Sequence, residues 1–321
     1  MQRFTRHQAC KALLITAGMA LAPLASAITF TDVYSFGDSL SDTGNISQAT
    51  GGFPPAPYTP GRFTSRFNDG TEGSIWVEYV SAQFGGNSVN SLAGGTNYAW
   101  GGAQIGPPNA GFPPSLIDQS NFFLNDVEGV ADPNALYTVF GGGNDVRDAN
   151  TGSSVQGITD IITNLADAGA RYFFVPNLPD IGLTPEALAG EAPGGDSALL
   201  SQLTADFNGD LATALDNLEA TRDITIVRFD LFAVFNDVIS DPGAYGLTNA
   251  SESCFDGEAS LCSDIDSYLF FDGIHPTANG HSIVGSLAID AINAAFVPVP
   301  AALPLFLAGL GALGLVRRRR V

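Results

Sequence analysis

Short apolar runs that end at turn residues recur along the chain, and this pattern constrains the fold most. The runs cover residues 33–36, 136–140, 172–175 and 224–229. Apolar residues at helical spacing occupy 155–168, 197–220 and 277–295. Apolar runs of this length are typical of buried parallel strands. Strands joined by crossover helices predict an α/β protein, an α/β/α sandwich.

Polar residues follow two of these runs. Asp38 and Ser39 come directly after the first run, and Asn144 follows the second. Because ligands of such sheets bind outside the carboxyl ends of the strands, we expect these side chains to share one edge. Two irregular loops near that edge, 53–73 and 106–114, are rich in Gly, Pro and aromatic residues. Each loop either walls a substrate groove or packs on itself.

The first 27 residues have the composition of an export signal. Three basic residues precede an apolar run at 12–24, and Ala-Ser-Ala follows at 25–27. This order predicts a secretory signal peptide at 1–27 that is removed after Ala27. The alternative is a single N-terminal membrane anchor, which the short apolar run disfavours.

The other end, 297–321, is also distinctive. Val-Pro-Val-Pro at 297–300 leads into an apolar stretch at 301–316 and four arginines at 317–320. This segment resembles a PEP-CTERM sorting tail. The resemblance implies transient membrane anchoring and a C-terminal sorting or processing enzyme as partner. The protein would then be at the cell surface or secreted in a Gram-negative-type bacterium. A plain C-terminal anchor is the alternative.

The chain between these ends is strongly acidic. Residues 28–316 contain all 33 acidic residues, six arginines and no lysine, which gives a net charge of −27. Such a surface repels nucleic acid, so we exclude nucleic acid as a partner. Because no repeat or flexible linker divides 28–296, we predict one domain there.

Two cysteines remain after removal of the signal. Cys254 and Cys262 flank a polar, turn-rich segment. Export to an oxidising compartment favours a disulfide between them. Two unrelated reduced thiols are the alternative. A metal site is disfavoured, because no histidine lies at ligand spacing.

A serine, a histidine and an aspartate are available for acyl transfer. Ser39 lies in Gly-Asp-Ser-Leu at 37–40, which follows a predicted strand and opens a predicted helix. Ser39 would then lie at the amino end of that helix, a position that favours negative charge. Loss of the signal leaves only His275 and His281, and we interpret His281 as an exposed or capping residue of the last helix. Asp272 precedes His275 by three residues, so it can orient the imidazole. A capping serine and a turn aspartate are the alternatives.

Four sequence blocks in a fixed order strengthen the acyl-transfer interpretation. They are Phe-Gly-Asp-Ser-Leu-Ser-Asp-Thr-Gly-Asn at 36–45, Asn-Tyr-Ala-Trp-Gly-Gly-Ala at 97–103, Gly-Gly-Asn-Asp at 142–145 and Asp-Gly-Ile-His-Pro at 272–276. Together they resemble the GDSL esterase and lipase family, also called SGNH hydrolases. The resemblance implies the SGNH hydrolase fold, a three-layer α/β/α sandwich with a mainly parallel, flavodoxin-like central sheet.

The resemblance also implies roles for individual residues. Ser39 would be the nucleophile, His275 the base and Asp272 its partner. The oxyanion would be held by the N–H groups of Ser39 and Gly102 and by the Asn144 side chain. Fixed donors of this kind lower the barrier by stabilising the charge that develops on the carbonyl oxygen.

This chemistry requires no cofactor and no metal. A calcium site built from Asp145, Asp148 and Asn150 would lack EF-hand spacing and its closing glutamate. We expect Asp38, Asp42 and Asp145 to serve as caps and supporting groups. Their spacing does not distinguish the acid and the base that a glycosidase needs.

We therefore predict an exported serine hydrolase that acts on a small-molecule or lipid ester through an acyl-enzyme on Ser39. Residues 241–249 and the cysteine pair resemble the lipase and phospholipase-like branch. The alternatives are a carbohydrate acetylesterase acting on extracellular polysaccharide and a catalytically silent surface or matrix-binding protein on the same fold.

Overall fold

The structure is a computed structural model that describes residues 29–109, 111–258 and 260–296. The strands of this part of the chain are β1 (Val33–Gly37), β2 (Leu136–Phe140), β3 (Tyr172–Pro176), β4 (Thr225–Phe229), β5 (Asn249–Ser253) and β6 (Tyr268–Phe270). Its α-helices are α1 (Asn45–Thr50), α2 (Trp76–Phe84), α3 (Leu116–Asp126), α4 (Gly143–Arg147), α5 (Ser154–Ala168), α6 (Pro185–Leu188), α7 (Ser197–Thr221), α8 (Leu231–Ser240) and α9 (Ala278–Phe296). The predicted signal peptide and sorting tail lie outside the described residues.

The central sheet contains β1 to β4 in chain order, and all neighbouring pairs are parallel. Residues 96–100 run parallel to β1 along its other edge. The N–H of Ser35 donates to the Thr96 carbonyl at 3.1 Å, and the N–H of Tyr98 donates to the Ser35 carbonyl at 2.7 Å. With this segment counted as second in the chain, the spatial order is 2-1-3-4-5, as in flavodoxin. The prediction of a mainly parallel, flavodoxin-like sheet is confirmed.

Helices cover both faces of this sheet. The pair α2 and α9 packs together on one face, and α3, α5 and α7 form the layer on the other. In α5 the buried side chains include Ile158, Ile161, Ile162 and Leu165, spaced to lie on one side of the helix. The predicted three-layer α/β/α sandwich is therefore confirmed.

The apolar pattern locates the long elements well and the short ones poorly. All four predicted strands and all three predicted helices occur, with ends that differ by at most one residue. The pattern does not predict α2, α3 or α8, which are nine, eleven and ten residues long. No helix among the described residues is both long enough and apolar enough to span a bilayer.

A small second sheet is separate from the central four-stranded sheet. It pairs β5 with β6, and its hydrogen bonding continues where the N–H of Phe255 donates to the Phe271 carbonyl at 2.6 Å. A disulfide joins Cys254 to Cys262 and closes the loop that follows β5. Because Phe271 directly precedes Asp272, this sheet determines where the Asp272–His275 segment begins.

Candidate active site

Ser39 lies in a tight turn at the carboxyl end of β1. The Asp38 carbonyl accepts the N–H of Asp42 at 3.0 Å, which closes one helical turn around Ser39. Glycine is needed immediately before this turn, because a Cβ on Gly37 would lie 2.6 Å from the carbonyl oxygen of Phe140. The close approach of β1 to β2 therefore positions the serine.

The prediction that a helix begins at Ser39 is wrong. Helix α1 begins only at Asn45, with Gly44 as its N-cap residue, and the Asp42 carboxylate binds the first N–H groups of the helix. That carboxylate accepts the backbone N–H groups of Gly44, Asn45 and Ile46, at 2.7, 2.7 and 3.1 Å. It also accepts the N–H of Gly101 at 2.8 Å, so it connects the serine turn to residues 97–103.

The structure brings Ser39, His275 and Asp272 into one series of hydrogen bonds. Ser39 Oγ lies 2.9 Å from His275 Nε2, and His275 Nδ1 lies 2.7 Å from Asp272 Oδ2. Because a carboxylate can only accept, the proton is on Nδ1, and Nε2 is left to accept the serine hydroxyl. All three residues are buried, with 6 to 9% of their surface exposed.

Both oxygens of the Asp272 carboxylate accept two hydrogen bonds each. Its Oδ1 accepts the backbone N–H groups of Ile274 and His275 at 2.9 and 2.7 Å. The Tyr58 hydroxyl, which sequence reasoning missed, donates to Oδ2 at 2.6 Å. Burial alone would raise the pKa of Asp272, but the charge and hydrogen bonds of His275, together with the Tyr58 hydroxyl, hold that pKa well below its ordinary range. Asp272 is therefore ionised at neutral pH.

Gly102 and Asn144 line the same cavity as Ser39 and His275. The N–H groups of Ser39 and Gly102 have no acceptor among the described residues, whereas the Gly101 N–H is occupied by Asp42. Gly102 has a φ of 79°, a conformation that favours glycine. Asn144 Nδ2 donates one hydrogen to the Ala103 carbonyl at 2.9 Å and retains a second for a ligand. Three N–H donors thus surround one space beside Ser39.

Two cavities flank Ser39. The wider one, about 340 Å³, is walled by Phe53, Phe63 and Phe112. The narrower one, about 60 Å³, is lined by apolar residues that include Pro179, Ile181 and Phe235. Phe53 and Phe112 remain 51% and 64% exposed at the rim of the wider cavity. Both irregular loops therefore contribute walls beside the serine.

The other carboxylates near this edge support the fold of the site. Burial raises the pKa of Asp38 to about 6, and its carboxylate accepts the Leu40 N–H at 3.0 Å. The Asp145 carboxylate accepts the Ile105 N–H at 3.1 Å and the Ser154 hydroxyl at 2.6 Å. Among the described residues, no group of three or more His, Cys, Asp or Glu side chains is arranged to hold a metal ion.

The interpretation of His281 as an exposed or capping residue is wrong. His281 is 1% exposed, because α9 packs against α2 and presses this side chain into the interface. Its Nδ1 accepts the backbone N–H of Trp76 at 3.4 Å, and its Nε2 has no hydrogen-bond partner among the described residues. Burial lowers the pKa of His281 to about 3, so the ring is neutral at physiological pH.

Serine hydrolases hold a serine, a histidine and an ionised aspartate in series, with free N–H donors nearby. This protein has that arrangement at the carboxyl edge of its parallel sheet. Residues 33–288 match the model of the family described as GDSL-like Lipase/Acylhydrolase. The chain belongs to this family.

Named relatives agree with the family. The chain is 27% identical to Lipase 1 of Photorhabdus luminescens over 355 residues, which cover 87% of this chain and 52% of the relative. It is 28% identical to Esterase EstA of Pseudomonas aeruginosa over 335 residues, which cover 88% of this chain and 50% of the relative. The chain thus spans about half the length of these two relatives. An Acetylesterase of Thermothelomyces thermophilus is 31% identical over 316 residues, covering 89% of this chain and 96% of the relative.

Proposed function

We propose that the protein hydrolyses carboxylic esters, with Ser39 as nucleophile, His275 as base and Asp272 as the carboxylate that orients the base. The observation that carries this proposal is the pair of hydrogen bonds from Ser39 Oγ to His275 Nε2 and from His275 Nδ1 to Asp272, at 2.9 and 2.7 Å. Membership of the GDSL-like Lipase/Acylhydrolase family supports it.

The reaction proceeds in two halves. His275 Nε2 takes the hydroxyl proton of Ser39 as Oγ attacks the ester carbonyl, and the negative charge of Asp272 stabilises the imidazolium. The tetrahedral oxyanion accepts hydrogen bonds from the N–H groups of Ser39 and Gly102 and from Asn144 Nδ2. Its collapse expels the alcohol, which receives the proton from His275. His275 then deprotonates a water that attacks the acyl-enzyme. The second tetrahedral intermediate collapses, the bond between the acyl carbon and Ser39 Oγ breaks, His275 returns the proton to Oγ, and the acid is released.

The wider cavity supports an apolar ester as substrate. Phe53, Phe63 and Phe112 offer aromatic surface to an acyl chain or an apolar alcohol beside Ser39. The net charge of −27 over residues 28–316 repels anionic molecules, which favours neutral esters. Lipid or simple acyl esters are therefore the first candidates.

A carbohydrate acetylesterase is the second candidate. The relative that matches this chain over 96% of its own length is named an Acetylesterase. The narrower cavity of about 60 Å³ is of a size that suits a small acyl group. Acetylated glycans therefore belong in the same substrate panel as the fatty esters.

We also propose that the enzyme acts outside the cytoplasm. The composition of residues 1–27 and the disulfide between Cys254 and Cys262 support export to an oxidising compartment. Membrane anchoring through 301–316 and processing by a sorting enzyme belong to the same proposal. Amino-terminal sequencing and fractionation of the native protein test it, and cytoplasmic full-length protein would contradict it.

The test of the chemistry combines active-site labelling with an ester panel. A fluorophosphonate should label the purified protein at Ser39, and Ser39→Ala and His275→Ala should each reduce kcat at least about 10⁴-fold without unfolding the protein. His281→Asn is the matched control, since it changes the other histidine of the described chain and keeps an acceptor for the Trp76 N–H. Full activity in Ser39→Ala would refute the mechanism. Acyl-length preference within the panel then separates the two substrate classes.

A further inference from the structure

Oδ2 of Asp272 receives two hydrogen bonds from side chains that are far apart in the sequence. His275 Nδ1 lies 2.7 Å from it, and the Tyr58 hydroxyl lies 2.6 Å from it. The backbone holds only the other oxygen, Oδ1. Tyr58 is therefore the one donor on Oδ2, among the described residues, that takes no part in proton transfer.

The Tyr58 ring is held by an aromatic enclosure. Phe271 meets it edge-on with ring centroids 4.9 Å apart, and Phe255 does so at 6.0 Å. Phe255 lies in the loop that the Cys254–Cys262 disulfide closes, and its N–H donates to the Phe271 carbonyl. Perpendicular aromatic contacts of this kind resist rotation of the ring, so the hydroxyl is aimed before any substrate arrives.

The irregular loop 53–73, which contains Tyr58, also contacts His275. Phe63 lies against the imidazole of His275, with ring centroids 5.1 Å apart. Phe53 and Phe63 also wall the wider cavity. One segment, 53–63, therefore contacts Asp272, His275 and the space for the substrate.

We propose that Tyr58 is a positioning residue for the hydrolysis, because its hydroxyl fixes the Asp272 carboxylate in the plane that aligns His275 with Ser39. This inference rests on the proposed function. Without the hydroxyl, Oδ2 is free to turn about the backbone-held Oδ1, and the imidazole loses its fixed direction toward Ser39. A small misalignment of the base is costly for the rate, because proton transfer requires hydrogen-bond geometry.

The hydroxyl also shares the negative charge of Oδ2. Its loss leaves more of that charge to the imidazolium, which then holds its proton more strongly. Three other titratable groups act on Asp272 and His275: Asp38 and His281 act on His275, and Arg147 acts on Asp272. Arg147 is held by two hydrogen bonds to Glu186, at 2.7 and 2.6 Å, so its position does not depend on the Tyr58 hydroxyl.

The test is Tyr58→Phe, which keeps the ring and removes the hydroxyl. With a p-nitrophenyl ester as probe, we expect kcat to fall about tenfold with little change in KM. The ascending limb of the pH–rate profile should move to higher pH, a shift that a merely structural role would not produce. Tyr245→Phe is the matched control: that tyrosine is also half-buried, and its hydroxyl donates to a carboxylate, Asp237, at 2.5 Å.

A double-mutant cycle makes the inference falsifiable independently of folding. In an Asp272→Asn background, Tyr58→Phe should have almost no further effect on kcat, because the two residues act as a unit. A tenfold loss that persists in that background, or an unchanged rate and pH profile in Tyr58→Phe alone, would overturn the inference. The proposed function itself would still hold if Ser39→Ala remained inactive, so the two failures are distinguishable.

Discussion

The nucleophile side of the site, formed by Ser39, Gly102 and Asn144, is anchored by the central sheet, whereas the base side, formed by Asp272 and His275, is anchored by the small β5–β6 sheet. On the nucleophile side, backbone hydrogen bonds of β1 with β2 and with residues 96–100 bring the donors together. On the base side, side chains distant in sequence complete the arrangement.

This difference shows which contacts fix the geometry of each half of the site. On the nucleophile side a parallel ladder positions the residues after its strands, and the nearby Asp42 carboxylate links the serine turn to residues 97–103. The base side instead depends on the Cys254–Cys262 disulfide, on Tyr58 and on the packing of α9, which begins three residues after His275. We therefore expect the base side to be the more sensitive to pH, reduction and substitution of supporting residues.

The largest expected effect is acid destabilisation through His281. Its pKa is about 3 in the folded protein, whereas an unfolded histidine titrates near its ordinary value of 6.5. The unfolded chain therefore binds the extra proton between these values, and the free energy of unfolding falls as pH drops from about 6.5 to about 3. The loss from this residue is up to about 5 kcal/mol.

Denaturant unfolding of the native protein and of His281→Asn across that pH range measures this loss. The comparison is needed because Asp38, with a pKa raised to about 6, acts in the opposite direction: the folded state binds its proton more readily. The native curve should lose stability relative to the variant as pH falls. If the free energies of unfolding of both proteins changed with pH in parallel, protonation of His281 would not account for acid sensitivity on the base side.

Asn144→Ala probes the nucleophile side. Removal of one oxyanion donor should lower kcat by about 100- to 1000-fold, or about 3–4 kcal/mol, with little change in KM. The matched control is Asn208→Ala, since Asn208 Nδ2 also donates to a backbone carbonyl, that of Leu178, at 2.9 Å. Steady-state kinetics of both variants measure the effect. An equal loss of kcat in the two variants would show that Asn144 is not an oxyanion donor.

Removal of the disulfide probes the support of the base side. A Cys254→Ala, Cys262→Ala variant should lose about 2–3 kcal/mol in free energy of unfolding, because the unfolded chain regains the freedom of a short loop. We also expect a severalfold lower kcat, since Phe255 and Phe271 enclose Tyr58. Urea unfolding and ester kinetics, repeated on the native protein with a reductant, measure both. Undiminished kcat would show that the base side does not need this support.

Much of the site was predictable because its determinants are local. Ser39 lies two residues after β1, and Asp272 reaches His275 within one turn, so short sequence blocks suffice to find them. Tyr58 lies 214 residues from Asp272 in the sequence, and the packing of an irregular loop brings them together. The burial of His281 likewise depends on the contact of α9 with α2, a helix that the apolar pattern does not predict.

The sequence by itself determined the order of strands and helices, the parallel sheet and the residue types available for acyl transfer, because these depend on periodicity and on neighbours a few positions apart. Only the tertiary structure decided that Tyr58 holds Asp272, that His281 is buried and that aromatic loops wall the space beside Ser39. Those features depend on contacts between segments far apart in the chain, and a one-dimensional pattern carries no distance between them.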